Sequence, residues 1–134
     1  MKKFLKIIGY IIGLQILIFI VVFISFMYLT DDMCANNIDK IYFSPNKSLK
    51  AVVFQRDCGA TTGFSTQVSI LNSKEELPNS KGNVFIINGH PDSVQAVVTW
   101  NNNKEINIHY TSNNIPFKSK KKFGFFDVIT IRYK

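Results

Sequence analysis

The side chains best equipped for chemistry are few: Cys34, Cys58, Ser65, His90, Asp92 and His109. A cysteine or serine nucleophile beside a histidine that a carboxylate orients is the arrangement of nucleophilic catalysis. The residue types are present, but nothing in their spacing makes Cys58 or Ser65 meet His90. Ordinary surface histidines are the simpler reading, so no catalytic residue is assigned and the balance leans away from an enzyme. The two histidines lack the companion ligands that a zinc site requires, so no metal and no cofactor is expected. The cysteines have no C-x-x-C spacing, which argues against a thioredoxin-like pair.

Two stretches suit binding better than catalysis. In the first, Arg56, Asp57, Gly59, Thr61, Thr62, Gly63 and Ser65 form a loop rich in glycines and hydroxyls. Glycine lets a backbone approach a ligand closely, and hydroxyls give adjustable hydrogen bonds. It is not a phosphate loop, because the Lys-Ser/Thr that should follow Gly63 is missing. The competing reading is an ordered connection between two strands. The second stretch, Phe117 to Phe126, interleaves Lys118, Lys120, Lys121 and Lys122 with Phe123 and its neighbours. Such a basic-aromatic patch attracts anionic lipid or polyanions. Its plain alternative is a solvated lysine turn. Four lysines are too small a footprint for nucleic acid, which is not expected as a partner.

The elements that position these residues begin with an apolar run from Ile7 to Leu29, behind Lys2, Lys3 and Lys6. As a helix it is about 35 Å long, enough for a bilayer core of about 30 Å. A cleaved signal peptide would be shorter and end in small residues. Here Thr30-Asp31-Asp32-Met33 follows, and it also lacks the small residues that normally precede a lipidated cysteine at Cys34. The reading is an uncleaved single-pass anchor. Lysines before it and Asp31, Asp32 and Asp39 after it put the N-terminus in the cytoplasm and the rest outside. Gly9-x-x-x-Gly13 is a weak helix-packing motif, which leaves the oligomeric state open.

That topology places both cysteines in an oxidising compartment, which favours a disulfide over two free thiols or a catalytic thiol. Much of the +7 net charge then becomes a topology signal. The external part carries thirteen basic and nine acidic residues, a net of +4.

The 134 residues allow one small domain beyond the anchor. Strand-like runs recur at Ile41–Phe43, Leu49–Arg56, Phe64–Ile70, Val84–Ile87, Ala96–Trp100, Glu105–Tyr110 and Phe125–Tyr133. Turn-forming residues separate them. Phe64, Thr66, Val68 and Ile70 alternate with polar residues, the period of a half-buried strand. Asn101–Lys104 reads as a hairpin turn. In the last run Phe125, Ile129, Ile131 and Tyr133 share one face. The expected fold class is mainly β: an N-terminal transmembrane helix, then one small antiparallel β-domain built as a sandwich, open barrel or curled meander. The divisions are a cytoplasmic tail over 1–6, a helix over 7–29, a linker over 30–40 and the β-domain over 41–134.

Ser44-Pro45, Lys50–Phe54 and the block from Arg56 to Ile70 resemble the signature of a family of small bacterial envelope proteins, a domain of unknown function. Family turns often read Asp-Gly where Asn46-Lys47 stands here, a minor departure. The resemblance implies a bacterial envelope protein and no particular activity. The expected protein is a non-catalytic binding module outside the inner membrane, with an envelope protein as partner. An extracytoplasmic hydrolase and an immunity or phage-exclusion factor are the rival readings.

Overall fold

The computed structural model describes every residue except 32, 33, 60 and 61, and leaves the side chains of 28–31 undescribed as well. It divides into two compact units, residues 1–33 and 34–134.

The first unit is a single helix, α1 (Lys2–Asp31). Its Lys2–Met27 stretch is long and apolar enough to cross a bilayer. None of that stretch is buried, and its isoleucines, leucines and phenylalanines are exposed all around the axis. An apolar stripe facing a protein core would be one-sided, so this uniform distribution suits lipid. Gly9 and Gly13 have open space beside them.

The second unit contains two open β-sheets around one core. The first sheet is built from β1 (Ala35–Phe43), β2 (Leu49–Asp57), β3 (Ser65–Asn72), β4 (Phe85–Asn88) and β7 (Lys118–Ser119). Its order is β1-β2-β3-β4-β7, antiparallel throughout. The second contains β5 (Val97–Asn102), β6 (Glu105–His109), β8 (Lys122–Phe123) and β9 (Ile129–Tyr133), in the order β5-β6-β9-β8. A four-residue helix, α2 (Pro91–Val94), precedes β5. Among the described residues the sheets are open and form no closed barrel, and side chains from both enter one core. The sheets are not wholly antiparallel, because β9 runs parallel to β6.

The core interdigitates Ala51, Val53, Val68, Ile70, Phe85 and Ile87 with Val98, Ile106, Ile108, Ile129 and Ile131. Phe85 lies against Tyr110 and Tyr133, with ring centroids 5.1 and 5.6 Å away. Residues one step along the strands, Val52, Phe54, Gln67 and Ser69, are buried too. They point to the other face, where residues 78–83 lie against the sheet. Polar contacts hold them there. Asn36 donates to the Pro78 and Ser80 carbonyls, and the Gly82 N–H donates to Gln67 Oε1 at 2.6 Å. The Asn83 side chain binds both backbone groups of Ile70, replacing a ladder partner where β4 has not yet begun. Hence β3 is buried on both faces, not on one as its alternation suggests, and the continuous apolar run Ala51–Phe54 has a partner on each side.

Two boundaries differ from expectation. Ala35–Lys40, expected as linker, belongs to β1, where pairing with β2 overrides the low strand propensity of Asn36, Asn37 and Asp39. The register slips between Ile38 and Lys40, a bulge that takes up one residue. The last strand begins at Ile129, and Phe125 is 87% exposed instead of sharing the face of Ile129 and Ile131. Gly124 has φ +94°, and the chain turns back on itself so tightly that a Cβ there would strike the Asp127 carbonyl. That turn takes Phe125 out of the sheet. The expected hairpin at Asn101–Lys104 is present between β5 and β6.

Candidate functional site

Cys34 and Cys58 form a disulfide with Cα atoms 4.0 Å apart. It continues the β1–β2 register by one step beyond the Ala35–Asp57 pair. The bridge therefore closes the hairpin at the end opposite its turn. It also consumes the one sulfur that a thiol mechanism would need at position 58.

From Cys58 the chain passes through a tight connection into β3. Asp57 Oδ1 accepts the Gly59 N–H at 2.9 Å, and Gly59 sits at φ +101°, where a side chain would be strained. The Gly59 carbonyl then accepts from both the N–H and the hydroxyl of Thr62. Thr61 lies outside the described residues. Arg56 is 2% exposed, and its guanidinium donates to Asn36 Oδ1 at 2.8 Å and Asn79 Oδ1 at 3.3 Å. It ties β1, β2 and the covering segment together. Ser65 Oγ accepts from Gln67 Nε2 at 2.8 Å and lies 3.4 Å from the Arg56 carbonyl oxygen.

Beside this loop, on the face of the first sheet away from the core, is a cleft of about 370 Å³. Arg56, Cys58, Thr62, Gly63 and Ser65 form one side. Gln67 and Ile86 lie at adjacent paired positions of β3 and β4, and Asn88 ends β4. Lys81 and Phe117 complete the lining. The Phe117 N–H donates to the Ile86 carbonyl at 2.8 Å, holding the ring at the margin of β4 while leaving it 76% exposed. The cleft thus offers an aliphatic and an aromatic surface within a ring of hydroxyls, amides and cations. Its volume falls in the range of small-ligand sites.

Sequence reasoning found the loop side of this cleft and missed Gln67, Lys81, Ile86 and Asn88. Only Gln67 carried a signal, as a polar residue between Thr66 and Val68 on a strand. The others come from separate segments that only the fold brings together.

The basic-aromatic run does not form one surface. Lys118 lies in the first sheet and donates from Nζ to the Gly82 carbonyl, whereas Lys122 and Phe123 lie in the second. Lys120 and Lys121 span the gap, with Tyr133 donating to the Lys120 carbonyl at 2.8 Å. Phe123 packs against the core, Phe117 faces the cleft, and Phe125 and Phe126 project from the turn.

The histidines are placed otherwise. His90 caps α2, its Nδ1 accepting the Asp92 N–H at 3.3 Å and facing the Asp92 carboxylate at 3.2 Å. Its ring meets Phe64 edge-on at 5.6 Å. Among the described residues no hydrogen bond joins Ser65 to His90. Among the described residues no three His, Cys, Asp or Glu come together as metal ligands.

No protein-family model, curated protein or solved structure matches the chain.

Proposed function

We propose that this chain is a single-pass envelope protein whose disulfide-linked β-domain is a non-catalytic binding module, with the cleft beside the 56–65 loop as its site. The N-terminus is cytoplasmic in this reading and the β-domain is held on the outer side of the inner membrane. Lysines in the first turns of α1, aspartates at and after its end and a disulfide beyond it all support that orientation. The resemblance of the Arg56–Ile70 block to small bacterial envelope proteins agrees with it.

The observation that carries the binding function is convergence. The glycine-hydroxyl loop and Phe117, more than fifty residues apart in sequence, line the same cleft. Exposed aromatic surface beside satisfied polar groups suits an apolar side chain of an envelope protein, with the surrounding amides and hydroxyls reading its backbone. The anchor raises the local concentration of the module for partners in the same membrane.

The test places a photo-crosslinking residue at Phe117 or Asn88 in the full-length protein, with exposed Lys74 as the control position. Capture of one discrete envelope protein from the cleft positions, lost in an Ile86→Asp variant that keeps its disulfide, is the expected result. Equal capture from Lys74 and the cleft positions would refute the site.

A further inference from the structure

Gln15 and Ser25 are the two clearly polar side chains in the apolar run of α1, and both belong to one pattern. Ile8, Gln15 and Val22 are seven residues apart, and Ile11, Ile18 and Ser25 each follow one of them by three. That is the a and d spacing of a seam between two helices. At about 3.6 residues per turn the six share a stripe about 100° wide. All six are exposed. Ile8, Ile11, Ile18 and Val22 are β-branched and stiff at χ1, so packing them together costs little side-chain freedom. Gly9 and Gly13 lie on the opposite side of the helix, so this seam is not the one their spacing would build.

Gln15 decides what the stripe must meet. It lies three residues from the midpoint of the Ile7–Leu29 run, about 4.5 Å along the axis, and so sits deep in hydrocarbon. Its carboxamide carries two donor hydrogens and an acceptor oxygen. Among the described residues it makes no hydrogen bond, and nothing in its own unit covers the helix. Lipid tails satisfy neither donor nor acceptor, and an unpaired amide among them is costly. Ser25 is under less constraint, because a helical serine can return its hydroxyl to the carbonyl one turn before it.

A second carboxamide at the same depth answers the first in both directions, donor to acceptor and acceptor to donor. Another copy of this chain supplies it necessarily. Copies inserted in one membrane share one orientation, so their helices run parallel with Gln15 level with Gln15. A two-fold pairing of identical stripes follows. A helix of a different protein would bring a matching polar group to that depth only by coincidence.

We propose that α1 pairs in parallel with α1 of a second copy of this chain, through the Ile8–Ser25 stripe and a hydrogen bond between the two Gln15 side chains. This rests on the reading of α1 as a membrane anchor.

The test uses the full chain, purified and reconstituted into lipid vesicles, with single cysteines introduced along α1. Its own two cysteines are bridged to each other and leave no free thiol to compete. Ile11→Cys and Ile18→Cys probe the stripe; Ile16→Cys and Ile20→Cys probe the opposite side. Mild oxidation should give a covalent dimer from the first two and little from the others, with a yield that holds as the lipid-to-protein ratio rises. Adding Gln15→Leu to a stripe variant should remove most of that dimer, whereas Gln15→Asn, which keeps the carboxamide, should retain it. Equal yields from the two sides, a dimer confined to the Ile16 and Ile20 side, or a dimer indifferent to Gln15→Leu each overturns the proposal. In native membranes, oxidation that joins Ile18→Cys to a different protein in place of a second copy overturns it as well. Stripping of the parent chain from vesicles by alkaline carbonate would refute the anchor and the pairing together. Retention without crosslinking at any of the four positions refutes the pairing alone.

Discussion

Burial pushes the Tyr133 hydroxyl above the ordinary tyrosine range, and Tyr110 adds to the shift. In the unfolded chain that phenol ionises near pH ~10, whereas in the fold it keeps its proton to higher pH. The unfolded state therefore loses the proton first. The stabilising contribution is complete below the ordinary tyrosine value and declines as pH rises beyond it. Tyr133→Phe should flatten that alkaline decline in a urea-denaturation series. At neutral pH it should cost about 1 kcal/mol for the lost hydrogen bond to the Lys120 carbonyl. An unchanged alkaline slope would assign the sensitivity to another group. At Gly124 the backbone itself sets the outcome. Gly124→Ala puts a methyl against the Asp127 carbonyl in a positive-φ position and should destabilise by about 1–3 kcal/mol. The urea midpoint should move with no change in slope, because the surface exposed on unfolding is the same. Gly63→Ala is the contrasting case, with Asn88 Oδ1 3.8 Å from the added methyl and no positive φ, so its midpoint should barely move.

At the scale of elements the disulfide carries the largest expected effect. It joins residues 24 apart in sequence and fastens the open end of the β1–β2 hairpin. Cys34→Ser with Cys58→Ser should lower stability by about 3–4 kcal/mol on the chain-entropy account, and reduction of the parent protein should do the same. Calorimetry with and without reductant measures it; equal midpoints would mean that the strands alone hold the hairpin. Strands were the most legible feature of the sequence because their apolar period is local. Thr66, Val68 and Ile70 announced the core face of β3, and Asn101–Lys104 announced its hairpin. What could not be read was whatever a distant segment does to a strand. Gln67 and Ser69 are buried because residues 78–83 lie against them, and no property of β3 predicts that cover. Ala35–Lys40 becomes a strand because β2 and the disulfide recruit it. Phe125 leaves the sheet because Gly124 turns the backbone, although its period matched that of Ile129 and Ile131. The cleft shows the same division: its loop was visible as glycines and hydroxyls, whereas Lys81, Ile86, Asn88 and Phe117 join it only through tertiary folding.

For the whole molecule the decisive prediction concerns sidedness. In the orientation proposed above, Lys2, Lys3 and Lys6 supply the positive charge that holds the N-terminus inside, and replacing them with glutamate removes it. The β-domain of that variant should remain largely in the cytoplasm, where cysteines stay reduced. Alkylation of whole cells followed by gel mobility reads this as a shift from bridged to free Cys34 and Cys58. A disulfide that forms as fully as in the parent would refute the proposed orientation. In the proposed topology the β-domain is exported, and the strand order then sets how it assembles in transit. β1 to β4 pair in sequence order, so each can add to its predecessor as it emerges, and Cys58 follows Cys34 early enough to seal the first hairpin in transit. The second sheet cannot follow suit. Its inner strand β9 slots between β6 and β8 and is the last to cross, so β5 and β6 must wait with one edge bare. That interval is when the domain is open to mispairing and to envelope proteases, and a stall late in translocation should be more harmful than one before β5.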